Sequence, residues 1–410
     1  MSPLAANHDA AVIGSPARGG AQPRICLVHD WLSGYRGGEK CLEAACRLFP
    51  EAPIHTLLHV PGSTSPVIEA ADIRTSFLDR WPAIGRYYRY ALPLMPRAVE
   101  SLVLPTDVDL VLSFSHAVAK SVRIPGGVPH VCYCFTPMRY AWSRREDYFP
   151  SRRNPLRVAA RLQGALLDRL KEWDRRTADR VTEYVAVSET VARRIHEAYG
   201  RTARVLYPPV ETDFFTPADG PRDDYYLCLS ALVPYKRVDL AIDACNRLGR
   251  RLLVIGTGPE RRRLARRAGP TVEFLGWRSA EEVREHLRRC RAVLFPGHED
   301  FGIVPVEAQA CGTPVIALAA GGATETILPP GDEPGTGCFF ARAAVEDLTA
   351  AIRDFERQPE RFSAFRLPAS AAGWPKSSAS SPGSLARQAA SSRHAEGRRP
   401  YASCASSRYV

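Results

Sequence analysis

Short apolar runs at 225–229, 252–255, 272–275, 292–295 and 315–318 start 27, 20, 20 and 23 residues apart, with helix-length stretches between them. Each run is too short for a helix and apolar throughout, as a strand must be when both faces of its sheet are covered. Strands and helices alternating at this interval build a parallel, doubly wound sheet. The first half repeats the pattern less regularly, at 25–28, 54–58, 108–114, 130–135 and 184–187. A long helix separates its last two runs, with Leu162, Leu166, Leu170 and Trp173 forming one apolar stripe. The expected fold class is therefore α/β, with two Rossmann-like doubly wound domains facing across a cleft. The expected division is a leader at 1–23, a first domain at 24–208, a proline-containing linker at 209–222, a second domain at 223–365 and a tail at 366–410.

The chain has 410 residues, 45% of them hydrophobic, enough for two sizeable cores. It has no window of about 18 uninterrupted apolar residues, so no membrane span is expected. The leader is rich in Ala, Gly and Pro and carries Asp9, unlike a secretory signal, and a cytoplasmic address is expected. Eleven cysteines without a Cys-x-x-Cys pair read as reduced, buried thiols. Cys132 and Cys134 share a strand face but have no further ligand cluster, so no metal site is expected. The net charge is +11, yet residues 366–410 hold seven Lys or Arg against one Glu, or +6, which leaves +5 for the rest. That placement argues against a nucleic-acid partner. The tail also contains eleven Ser and ten Ala without hydrophobic periodicity, so it is expected to be disordered.

In open parallel sheets ligands bind at the strand C-terminal ends, and function is sought in those loops. The run at 292–295 is followed by Glu299-Asp300-Phe301-Gly302-Ile303-Val304-Pro305-Val306-Glu307, a strand-to-helix turn with carboxylates eight positions apart. Pro305 suits a first helical turn, and the free N–H groups of Phe301, Gly302, Ile303 and Val304 are expected to offer a phosphate site flanked by Glu299 and Glu307. Solvated surface glutamates are the plain alternative. Gly37 and Gly38 precede a helix expected at 39–48, as an anion-binding turn or simply a tight helix entry. His116 ends another strand, placed to meet a sugar hydroxyl or satisfied by nearby backbone. Lys236 and Arg237 sit at a helix start, where the dipole disfavours cations, so they ask for an anion such as a diphosphate leaving group. Gly256 and Gly258 follow the next strand without the full Gly-x-Gly-x-x-Gly spacing, and Gly321-Gly322 would let a ligand approach the main chain.

The ordered set Gly37-Gly38, His116, Tyr235-Lys236-Arg237, Gly256-x-Gly258, Phe274-Leu275-Gly276-Trp277 and the 299–307 box resembles the retaining glycosyltransferases of family 4, which have the GT-B architecture. The stretch from Cys134 to Trp142 is similar to members that transfer mannose or related sugars onto lipid-linked or polysaccharide acceptors. The resemblance implies that Glu299 orients the donor sugar, Glu307 binds the ribose and residues 301–304 hold the diphosphate. It further implies that Lys236, assisted by Arg237, stabilises the departing phosphate, and that His116 holds the sugar from the opposite domain. Gly37, Gly38, Gly256, Gly258 and Gly276 would line the donor site, and Arg139, Tyr140 and Trp142 the acceptor site. The co-substrate is a nucleotide sugar, GDP-mannose by family preference. No cofactor or metal is expected, because the helix terminus and Lys236 supply the counter-charge. Ser230-Ala231-Leu232 stands where many relatives have an arginine, Phe135 where they tend to have His, and Ser143 where they tend to have Asp. The tail lacks the apolar stripe of the helix that crosses back in the family, so the second reading is an impaired or non-catalytic nucleotide-sugar-binding homologue. Between Arg80 and Arg97, Trp81, Tyr87, Tyr88 and Tyr90 mingle with Arg86 and Arg89, which suits either peripheral membrane contact or a partly buried helix.

Overall fold

The computed structural model describes residues 23–142 and 157–362. The expected tail, all but the last residue of the expected leader, Ser143 and the side chain of Leu162 lie outside the described parts. The first sheet has seven strands: β1 (Ile25–His29), β2 (Ile54–Thr56), β3 (Ile73–Thr75), β4 (Leu110–Ser115), β5 (His130–Cys134), β6 (Glu183–Ala186) and β7 (Ala203–Val205). The second has six: β8 (Tyr226–Leu229), β9 (Leu252–Ile255), β10 (Val272–Gly276), β11 (Ala292–Phe295), β12 (Val315–Leu318) and β13 (Gly337–Phe340). Every pairing is parallel.

The strand orders are β3-β2-β1-β4-β5-β6-β7 and β10-β9-β8-β11-β12-β13. Both sheets are wound outward in two directions from one internal point, β1/β4 in the first and β8/β11 in the second. In sheets wound this way ligands bind outside the C-terminal ends of the two central strands.

Alternate residues of each central strand feed different cores, which explains the continuous apolar runs. In β1, Ile25 and Leu27 pack into one cluster while Cys26 and Val28 pack into another on the opposite face. In β8, Tyr226 and Cys228 face one cluster and Leu227 the other. The Arg157–Arg176 helix lays Leu166, Leu167, Leu170 and Trp173 on the second face of the first sheet. Ten cysteines of the described residues are free thiols, and all but Cys338 are buried.

The five runs expected in the second half are strands within a residue of the expected bounds. In the first half the bounds move by up to two residues at either end, as for β4. The run at 54–58 leaves the sheet after Thr56, and Leu57 and Leu58 join the core cluster that holds Trp31. The helix expected at 39–48 begins at Gly37. The strands not anticipated, β3, β7 and β13, are all sheet edges. They are three or four residues long, and Ile-Arg-Thr and Ala-Arg-Val have no apolar run to reveal them.

Candidate functional site

At the switch point of the second sheet, the loop after β8 and the loop after β11 touch. A Cβ on Gly297 would lie 3.0 Å from the Lys236 Cα and 3.1 Å from its carbonyl oxygen, so any side chain there would push the two loops apart by a few tenths of an ångström. The contact delivers the Lys236 ammonium onto the Glu299 carboxylate, with both side chains mostly shielded from water. Gly302, at φ +84°, caps a helix that spans Ile303–Ala310. The N–H groups of Gly302, Ile303 and Val304 have no acceptor among the described residues, and Pro305 has no N–H to offer. Lys236 thus pairs with Glu299 three residues before an open helix N-terminus, and all three stand on the paired loops at this switch point.

Several of the residues expected at the donor make close contacts within the protein. Arg237 adopts a left-handed backbone, φ +50°, and turns its guanidinium onto Asp239, so Lys236 alone of the two cations faces the box. A Cβ on Gly256 would strike the Ser230 carbonyl and one on Gly258 the Leu232 carbonyl, so these glycines admit the 230–232 main chain. Gly321 and Gly322 likewise admit the main chain of Glu299 and Phe301, with a β-bridge joining Glu299 to Gly321. Gly276, φ +76°, ends β10 with open space beside it. The Phe301 ring is buried against Tyr207 at 5.7 Å and belongs to a core cluster of the first domain.

The first sheet's switch point carries side chains that the sequence reading passed over. Asp30, immediately after β1, is fully buried and accepts the N–H groups of His116, Ala117, Val118 and Ala119 at 2.6–2.9 Å. His116 Nδ1 lies 2.9 Å from the same carboxylate, which fixes the ring at the end of β4 with about a quarter of its side chain exposed. Burial opposes the charge on Asp30, yet His116 and the amides hold its carboxyl far below the usual range. His29 donates Nδ1–H to the Trp31 carbonyl at 3.1 Å, while its buried Nε2 has no partner and faces Gly38. Burial pushes this imidazole down, towards the neutral form. Gly37 has open space where a side chain would stand, and Gly38 packs on Phe135. The available signal was His29-Asp30-Trp31 directly after an apolar strand.

The two walls are joined by charge. Lys40 Nζ reaches Glu307 Oε1 at 2.8 Å, so the carboxylate expected to be open to a ribose is occupied by an ammonium from the other domain. Arg139 and Arg194 both clasp Asp300, and Ser188 Oγ donates to its carbonyl at 2.6 Å. Glu325 accepts the N–H groups of Glu189 and Thr190 at 2.7 and 2.9 Å, capping the Glu189–Tyr199 helix from across the cleft. Of the residues expected at an acceptor, Arg139 thus reaches the cleft through Asp300. Trp142 instead donates Nε1–H to Asp174 at 2.8 Å beneath the Lys171 ammonium, and Tyr140 packs on the first-domain core. Asp174 is part of a buried network with Lys120 and Tyr199.

No helix among the described residues is long and apolar enough to cross a membrane. Trp81, Tyr87 and Tyr90 are exposed beside Arg86 and Arg89, whereas Tyr88, Leu92 and Met95 of the same segment are core.

Residues 35–214 match a family model described as Glycosyltransferase Family 4, and residues 210–367 one described as Glycosyl transferases group 1. The chain is 34% identical over 209 residues to the GDP-mannose-dependent alpha-(1-6)-phosphatidylinositol monomannoside mannosyltransferase of Mycolicibacterium smegmatis, covering 43% of this chain and 54% of that protein. It is 33% identical over 220 residues to the D-inositol 3-phosphate glycosyltransferase of Geodermatophilus obscurus, covering 46% and 47%. The matches thus span about half the length of these curated relatives. Among solved structures, HepE of Anabaena in complex with UDP superposes with a TM-score of 0.59 at 18% identity, covering 82% of this chain and 91% of that one. Sucrose-phosphate synthase from Thermosynechococcus elongatus gives 0.60 at 17%, with the same coverage. These structures share the two-domain fold.

Proposed function

The chain belongs to the family 4-like glycosyltransferases, and we propose that it transfers a hexose, mannose by preference, from a nucleoside diphosphate sugar to a hydroxyl of a glycan or lipid-linked acceptor, with retention and without a metal. The observation that carries this reading is the Lys236–Glu299 pair standing next to the unpaired amides of Gly302 to Val304. The preference for GDP-mannose rests on the relative from Mycolicibacterium smegmatis, which is named for that donor.

In this reading the donor diphosphate lies on the helix N-terminus, whose partial positive charge and free donors match it. The bond from the anomeric carbon to the β-phosphate oxygen breaks, and the Lys236 ammonium stabilises the charge that collects on the departing oxygen. Glu299 orients the sugar hydroxyls. His116, held by Asp30, faces the sugar from the other wall. The acceptor oxygen bonds to the anomeric carbon on the face the phosphate leaves, and its proton passes to that phosphate oxygen. Trp81, Tyr87 and Tyr90 with Arg86 and Arg89 form the face that would dock on an anionic membrane carrying a lipid-linked acceptor.

Donor turnover tests the proposal. GDP-mannose, with UDP-glucose alongside, is incubated with the full chain in excess chelator, and release of the nucleoside diphosphate is followed. Turnover that persists with chelator and falls in Lys236→Ala is the expected result. A strict requirement for a divalent metal would contradict the mechanism, and wild-type turnover matched by Lys236→Ala would remove Lys236 from it.

A further inference from the structure

Lys40 stands in the first turn of the Gly37–Leu48 helix, two residues after Gly38, and bridges the cleft to Glu307 at 2.8 Å. The Glu307 carboxylate is buried, and the Lys40 side chain is about three-quarters shielded, with its ammonium 5.6 Å from the Phe215 ring centre. Burial pushes the Glu307 carboxyl up and Lys40 pulls against it, as expected of an ion pair whose partner is needed. Glu307 lies four residues beyond Ile303 in the same helix, so at about 1.5 Å per residue it sits ~6 Å along the axis from the unpaired amides. The Lys40 ammonium, on a flexible four-carbon stem, is therefore about one helical turn from the place where a diphosphate docks.

We propose that Lys40 is a nucleotide-sensing residue, paired with Glu307 while the cleft is empty and transferred to the diphosphate when a ribose diol takes its place on Glu307. This rests on the reading of the crevice as a nucleotide-sugar site. Its physical basis is a difference between ligands. A nucleoside without phosphate must displace an ammonium from a buried carboxylate and gives it no new anion, which is costly. A nucleoside diphosphate displaces the same ammonium but supplies an anion within reach, forming a new charge-assisted contact. The exchange makes the empty site discriminate against unphosphorylated nucleosides, and it ties the first domain to the ligand only when a diphosphate is present.

Calorimetric titration of the full chain with guanosine and GDP, and with uridine and UDP, tests the exchange in wild type, Lys40→Met and Lys40→Arg, with thermal melting to establish that each variant is folded. In Lys40→Met the nucleoside binds more tightly and its diphosphate more weakly. The ratio of the two dissociation constants then falls on the order of ten- to hundredfold, the scale of one charge-assisted hydrogen bond. Lys40→Arg, which keeps the charge, returns the ratio toward wild type. A Lys40→Met variant in which both ligands weaken together, or a Lys40→Arg variant that behaves like Lys40→Met, would overturn the exchange while leaving the donor site standing. A wild-type chain that binds neither diphosphate would overturn the underlying functional reading as well.

Discussion

At the first switch point, strand-end side chains hold one another: Asp30 gathers four amides and the His116 ring, and His29 is pinned to the Trp31 carbonyl. At the second, glycines hold main chain against main chain, and the functional groups that remain are an ammonium, a carboxylate and bare amides. The same topology has thus been finished in two ways. The first wall spends its polar groups on internal satisfaction and presents a fixed imidazole. The second pairs its ammonium with its own carboxylate and leaves the amides of Gly302 to Val304 uncommitted, as a site that receives an anion requires.

The largest effect that sharpens this contrast belongs to the first wall. Asp30→Ala strips a buried carboxylate from His116 and four amides and should cost about 3–5 kcal/mol in denaturant unfolding. A loss below 1 kcal/mol would mean that the cluster is not the wall's support. The second wall should respond in activity: Lys236→Ala lowers kcat/KM by about 100- to 1,000-fold.

Acid should then separate the walls. Burial pushes both His55 and His130 down to about 4, and lowers His29 too, all in the first sheet, while in the second domain burial lowers the half-buried His286. The folded state resists protonating these rings while the unfolded chain takes up protons below about pH 6.5, so stability is full above that pH and lost as it falls toward 4. Hydrogen exchange at pH 5 against pH 7 should show protection falling in β1, β2 and β5 before β8, β9 and β11, with a total cost on the order of a few kcal/mol. Equal loss in both sheets would break the comparison. The smallest effect lies between the walls, where Glu325→Gln weakens the cap on the Glu189–Tyr199 helix by about 0.5–1.5 kcal/mol, measured in the same unfolding assay.

The second sheet was legible because its strands are buried on both faces and therefore spelled in uninterrupted apolar residues such as Leu252 to Ile255. Edge strands such as Ala203–Val205 escape this logic, since half their surface is wet. Lys236, Glu299 and the helix terminus were readable as a motif because all lie in loops leaving adjacent central strands. Gly256, Gly258 and Gly321 looked like ligand contacts because a close approach demands glycine whether the approaching group is a substrate or another loop. Arg237 turns onto Asp239 while Lys236 turns onto Glu299, because adjacent residues in a turn need not point the same way. Lys40, Arg139 and Arg194 were invisible as partners of Glu307 and Asp300, since pairing across more than 100 residues is set by how the domains meet.

The central claim is that a diphosphate is held between the amides of the Ile303–Ala310 helix and the ammonium of Lys236. A crystal structure of the chain soaked with GDP or UDP tests it most directly. The account predicts phosphate oxygens within about 3 Å, hydrogen-bond reach, of the Ile303 or Val304 N–H and of Lys236 Nζ, with the Glu299 carboxylate beside them. Diphosphate density anywhere else, or a bound nucleotide whose phosphates leave Lys236 on Glu299 and the amides bare, would contradict it.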